Sequence, residues 1–176
     1  NRIETGNLEP DFCEVWVSEL VLGVVETFEA RASQKDISLQ FEMDGGDSLA
    51  ETDIMLASRI LENLVSNAVK YSPFGRVVSV FTEGDDDGFM VGVSDEGPGL
   101  SPRDQEMLYR PFSKLTPTPT AGEPSTGVGL SIVKTLTELL GGTIHCDSQL
   151  GRGTTFLVFL PLGPKSLTAR GAHEVI

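Results

Sequence analysis

The sequence predicts a two-layer α/β sandwich, with one mixed sheet of about five strands carrying its helices on one face. Three observations carry that expectation. Apolar residues recur at helical spacing over residues 15–33 and 53–71. Short runs such as 37–41 alternate apolar and polar residues, as half-buried strands do. Glycine and proline punctuate the chain into the order helix, strand, helix, two strands, short helix, loop, helix, two strands. With 176 residues, 39% of them hydrophobic and 22% charged, the chain has the size and composition of one soluble domain with a real core.

In chain order, residues 1–10 read as the end of a helix, stopped at Gly6-Asn7, and then an exposed connector. Val17, Leu20, Val21, Val24, Val25 and Phe28 give the first full helix its apolar face, with Asp11 or Ser18 as the expected cap. Residues 37–41 form a strand, and a turn at Gly45-Gly46 leads to the helix over 53–71. That helix ends at Ser72-Pro73, because the residue before proline is pushed out of the α region. Residues 76–83 and 89–94 are strands joined at Gly84-Asp-Asp-Asp-Gly88, a hairpin tip rather than a metal site. Ser101 caps a short helix with Pro102 in its first position. Residues 110–126, rich in Pro, Thr, Gly and Ser, form a long loop without periodicity. A helix over 128–140 stops at Gly141-Gly142, and strands over 143–147 and 154–160 close the fold, leaving a short frayed tail.

The formal charge of −13 argues against a nucleic-acid or anionic-membrane surface. No apolar run reaches the ~20 residues of a membrane span, and no charged-then-apolar leader opens the chain. The expected setting is the cytoplasm, with membrane anchoring of a longer protein left open. Cys13 and Cys146 lack zinc-like spacing and read as reduced structural thiols.

The chemistry lies beside the core face of the 53–71 helix. Ala57, Ile60, Leu61, Leu64, Val65 and Ala68 line the core. Asn63, Asn67 and Lys70 follow at i, i+4 and i+7 on a second stripe roughly 120° away. Amide oxygens suit Mg²⁺, and an ammonium one turn later can meet the phosphates the metal bridges. An ordinary solvated flank is the alternative for this helix taken alone. Asp95-Glu-Gly97-Pro-Gly99 leaves a strand with a carboxylate that can accept from an exocyclic amine, and glycines that let a ring approach. Thr126-Gly127-Val128-Gly129-Leu130 opens a helix, where free amides favour phosphate. Gly151-Arg-Gly153-Thr154-Thr155 turns tightly into a strand. A Walker A loop is excluded, since Val128 and Gly129 stand where its Lys and Ser/Thr would be. A dinucleotide fold is excluded because no G-x-G-x-x-G follows the first strand.

With the Asn63/Asn67 helix, Asp95-x-Gly97-x-Gly99, Phe112, Gly127-x-Gly129-Leu130 and Gly151-x-Gly153-Thr154 in this order, the chain resembles the ATP-binding catalytic domain of sensor histidine kinases, a Bergerat fold. The resemblance covers residues 10–161 and spans the family's N, G1, F, G2 and G3 boxes. It implies a catalytic domain over 11–161 with an ATP lid at 110–126, after the end of a dimerisation and phosphotransfer helix at 1–10 and before a tail at 162–176. It implies ATP and Mg²⁺ as cofactors, with Asn67 and Asn63 toward the metal and Lys70 toward phosphate. Tyr71 is implied near the base or ribose, and Asp95 at the adenine amino group. Gly97, Gly99, Leu100, Thr126, Gly127, Val128, Gly129 and Leu130 are implied to shape the pocket and lid hinge, with Thr154 or Thr155 supporting Asp95. Phe112 is implied to pack the lid down, and Lys114 to stand where a γ-phosphate contact is common. Tyr109 departs from the phenylalanine usual at the start of the F box.

The implied activity is transfer of the ATP γ-phosphoryl group to a histidine on a separate dimerisation domain of the same protein. A response regulator receiver domain is the implied later partner, and the full-length protein is an implied homodimer. Relatives that activate water or serine carry a Glu where Asn63 stands, while Glu62 lies about 100° round the helix. A histidine nucleophile has less need of such a base. The alternatives are a catalytically silent nucleotide-responsive module of the same fold and an ATP-driven clamp.

Overall fold

The computed structural model describes residues 8–163, so the expectations for residues 1–7 and 164–176 fall outside the described residues. Its elements are β1 (Cys13–Trp16), α1 (Val17–Ser33), β2 (Ser38–Asp44), β3 (Leu49–Thr52), α2 (Ile54–Tyr71), β4 (Val77–Gly84), β5 (Gly88–Asp95), α3 (Pro102–Met107), α4 (Gly129–Leu139), β6 (Thr143–Gln149) and β7 (Gly153–Pro161). The main sheet has five strands in the order β2-β4-β5-β7-β6. It is mixed: β2 and β4 run parallel, and every other pairing is antiparallel. A parallel pair needs a crossover between its strands, and α2 is that crossover.

Burial alternates along the strands. Val78, Val80 and Thr82 of β4 and Phe156, Val158 and Leu160 of β7 are buried, while their neighbours are only half-buried until the ends of the strands. The covered face carries α2 between α1 and α4. Seven residues of α2, Ala57, Ile60, Leu61, Leu64, Val65, Ala68 and Val69, fill the core between the layers. Asp53 caps α2, accepting from Leu56 N at 3.0 Å through one carboxylate oxygen and from Asp11 N at 2.9 Å through the other. Ser72 ends it in extended backbone before Pro73, as expected.

The start of the chain differs from expectation. Residues 15 and 16, expected in the first helix, join residues 13 and 14 in β1, which pairs antiparallel with β3 in a separate two-stranded ribbon. Neither expected cap serves α1: Trp16 occupies the cap position without a side-chain bond, Ser18 bonds Asp47, and Asp11 is held by Asp53. A pairing such as Cys13 with Thr52 joins segments too distant for local periodicity to reveal. At the hairpin tip, Asp85 accepts from the amides of Asp87 and Gly88, which is turn chemistry. The described residues hold no cluster of three or more metal-ligating His, Cys, Asp or Glu side chains.

Candidate nucleotide site

One side of α2 walls a cleft of about 540 Å³. Asn63, Ser66, Asn67 and Lys70 face it at i, i+3, i+4 and i+7, all half-buried, with Tyr71 at the helix end. Asn63 donates its amide to Arg59 O at 2.7 Å, which leaves its oxygen free. That oxygen lies 3.0 Å from where a side chain on Gly129 would begin, so a larger residue there would press on the Asn63 carboxamide. The Asn67 carboxamide lines the cleft and makes no hydrogen bond to another described residue. The Lys70 ammonium donates to Pro124 O at 3.1 Å, and loss of water, with Arg31 nearby, holds its pKa below the usual lysine value against the opposing pull of Glu123. Among the described residues lining the cleft there is no carboxylate, and Glu62 is not among them.

A second, smaller pocket of about 50 Å³ shares Tyr71, Leu108, Leu115, Pro117 and Leu130 with the cleft, so the two adjoin. Asp95 stands in its wall at the end of β5, beside Gly99, Leu100 and Thr154. Loss of water pushes the Asp95 carboxyl up to about 6, although the Gly97 amide, at 2.8 Å, and the Thr154 amide both favour its charge. Gly99 has φ of 71° and its missing side chain would run into Gln149 O, so the β6–β7 turn can lie directly against the pocket. A carboxylate on a mainly apolar wall that also carries Tyr71 and Thr154 suits a flat ring bearing an amino group.

Residues 110–126 roof the cleft between α3 and α4. The Asp104 carboxylate closes a capping box with Ser101 and also accepts from Thr116 N at 2.9 Å and Thr116 Oγ1 at 3.1 Å, which ties the loop to α3. Those hydrogen bonds outweigh its burial and hold its pKa below the ordinary carboxylate value.

The structure places most expected site residues together. Asn63, Asn67, Lys70, Tyr71, Phe112, Lys114, Thr126, Gly127, Gly129 and Leu130 line the cleft; Asp95, Gly99, Leu100 and Thr154 line the pocket, and Gly97 backs Asp95. Three differ. Thr155 does not line the pocket; its hydroxyl meets Ser94 at 2.9 Å, because adjacent residues of a strand point to opposite faces. Val128 lies at the start of α4 with its carbonyl taken by Ile132 N and Ser131 Oγ, and does not line the cleft. Phe112 does not pack the loop down: it has φ of 60°, its amide donates to Gly127 O, and it is 79% exposed at the cleft rim. Leu108, Leu115 and the half-buried Tyr109 pack there instead. Burial pushes the Tyr109 hydroxyl up to about 12. Ser66 was missed, although it sits on the Asn63–Lys70 stripe; Pro98, Leu108, Leu115 and Pro117 were legible only as a turn, helix or loop.

The fold is that of histidine kinase catalytic domains. The nucleotide-free catalytic domain of ThkA superposes with a TM-score of 0.78 at 27% identity, over 89% of this chain and 99% of that one. Full-length ShkA in complex with AMPPNP gives 0.78 at 26% identity, over 88% of this chain and 32% of that one. The chain belongs to the histidine kinase-, DNA gyrase B- and HSP90-like ATPase family, whose model matches residues 52–164. Among relatives, the virulence sensor protein BvgS of Bordetella bronchiseptica is 37% identical over 92% of this chain, which spans only 13% of the BvgS sequence.

Proposed function

We propose that this chain binds ATP with Mg²⁺ in the cleft between α2 and the lid, and presents the γ-phosphoryl group to a histidine on a dimerisation domain of the same protein. The carrying observation is that two chemically different spaces adjoin: a carboxamide-and-ammonium wall shares five lining residues with a mainly apolar pocket that holds the half-buried Asp95 carboxylate. The relatives named as sensor proteins and kinases favour this reading over other ATPases of the family.

The donor set fits a hard divalent cation. The cleft offers the free oxygens of Asn63 and Asn67 and no thiolate, imidazole or carboxylate among the described residues, so the remaining ligands would be phosphate oxygens and water. When bound, magnesium supplies charge neutralisation at the phosphates. Asn67 and Asn63 would hold it; Lys70 would add an ammonium to the same phosphates; Asp95 would orient the adenine through its amino group. The lid would exclude water, with Lys114 at its rim. Transfer breaks the bond between the bridging oxygen and the γ-phosphorus and forms a P–N bond to neutral imidazole, whose other ring nitrogen then releases its proton to solvent. The imidazole lone pair needs no base, which matches a cleft without a carboxylate. A response regulator receiver domain is the proposed acceptor from the phosphohistidine, and the whole protein is proposed to work as a homodimer.

The test supplies the histidine-bearing domain and ATP labelled at the γ-phosphate. Wild-type chain is expected to yield acid-labile label on that domain, and Asn67→Ala to lower the rate by about tenfold or more. Label at the wild-type rate with Asn67→Ala contradicts the metal role, and bound nucleotide without any transfer leaves a silent regulatory module as the function.

A further inference from the structure

We propose that Lys35 and Glu123 form a latch that holds the lid over the cleft and sets how fast nucleotide escapes, a positioning role that rests on the nucleotide-binding reading above. Lys35 follows α1 and is 4% exposed. Its ammonium donates to Val69 O at 2.7 Å and Lys70 O at 3.1 Å, carbonyls at the negative end of α2 that the helix itself leaves unpaired. Its third contact is Glu123 of the lid, at 3.4 Å, with the two side chains only 5% and 21% exposed. The face of Phe74 lies 5.7 Å from the same ammonium. Glu123 in turn accepts from Ala121 N at 3.0 Å, so its carboxylate is fixed on the lid as well as to Lys35.

Charge explains why the lid is drawn there. A cavity of about 310 Å³ lies between α1, the end of α2 and the lid; its charged lining is Arg31, Lys35, Lys70 and Glu123. Three cations face one carboxylate, and the lid supplies the carboxylate.

The latch sits where it acts on the cleft directly. Thr120 donates its amide to Lys70 O at 3.1 Å and its hydroxyl to Ser72 O at 2.8 Å. Lys70 reaches Pro124 O, and the Tyr71 and Ser125 hydroxyls meet at 3.2 Å. Lid residues 120–125 are thereby laid along Lys70 and Tyr71, the last two α2 residues that face the cleft, while the space beneath stays open. A roof already in place spares bound nucleotide the cost of ordering it. Loss of the Glu123 charge frees this stretch, whereas Lys35 keeps its two carbonyl partners and the α1–α2 junction stays intact.

Glu123→Gln in the 176-residue chain tests this by two readouts. Amide exchange at Thr120 in the nucleotide-free chain, and release of mant-ATP in the presence of Mg²⁺ followed by stopped flow, are both expected to quicken by about three- to tenfold, with a melting temperature within a few degrees of wild type. Thr120 exchange or mant-ATP release at the wild-type rate overturns the latch. A wild-type chain that does not bind mant-ATP sinks the nucleotide reading itself, a failure seen before any variant is made and so distinct from failure of the latch.

Discussion

The two walls of the cleft are held by opposite kinds of force. The α2 wall is fixed from behind by seven buried residues, several with no exposure at all, including Ile60 and Leu64. The lid wall packs Leu115 against the core and otherwise rests on polar contacts, among them Asp104 with Thr116, Thr120 with the end of α2, and Glu123 with Lys35. Area burial resists displacement everywhere along α2, whereas polar ties of roughly 1 kcal/mol each can break one at a time. The proposed function uses the first wall to aim groups at phosphate and metal, and the second to open and close.

That contrast breaks most visibly in stability. Leu64→Ala is expected to cost about 2–5 kcal/mol in urea unfolding, because the removed side chain leaves a cavity between helix and sheet. Thr118→Ala, on the exposed lid, is expected to change unfolding by less than about 0.5 kcal/mol. Similar losses at both positions would mean that the lid is part of the cooperative core.

A smaller effect sharpens the comparison at the pocket proposed for the base, where Asp95 stands on the rigid side. An amino group that donates to Asp95 favours the carboxylate, so binding draws its pKa down from about 6. Adenosine, which carries no phosphate to titrate, is expected to bind at full strength above about pH 7 and about fivefold more weakly at pH 5. Asp95→Asn is expected to flatten that profile. Linkage in the nucleotide-free chain has the opposite sign. Native Asp95 keeps its proton to about pH 6, while the unfolded chain releases it near 3.8, so its contribution to stability is complete below the lower value and lost as pH rises through the upper one. Calorimetric titrations across this range check both signs.

What the sequence disclosed followed from how local the responsible force is. The α2 core face and the Asn63–Asn67–Lys70 stripe are fixed by helical geometry alone, and the Ser101 cap and the Asp85–Asp87 tip by turn chemistry within a few residues. The β1–β3 ribbon was hidden because its pairing spans about forty residues of chain. The choice between Thr154 and Thr155 depended on strand parity, which the Gly151–Gly153 turn left ambiguous until the register with β5 was known. Phe112 turns outward through a left-handed backbone that no pattern signals. Lys35 and Glu123, 88 positions apart, meet only because the lid folds back over the end of α2.

The central claim is that α2 and the lid enclose one nucleotide, phosphates along the helix and base at Asp95. A crystal of this chain grown with magnesium and a non-hydrolysable ATP analogue tests it most directly. The account predicts the adenine amino group on the Asp95 carboxylate, and the phosphates beside Asn67 and Lys70. An analogue bound elsewhere, or a cleft that stays filled by lid side chains at saturating analogue, would contradict it.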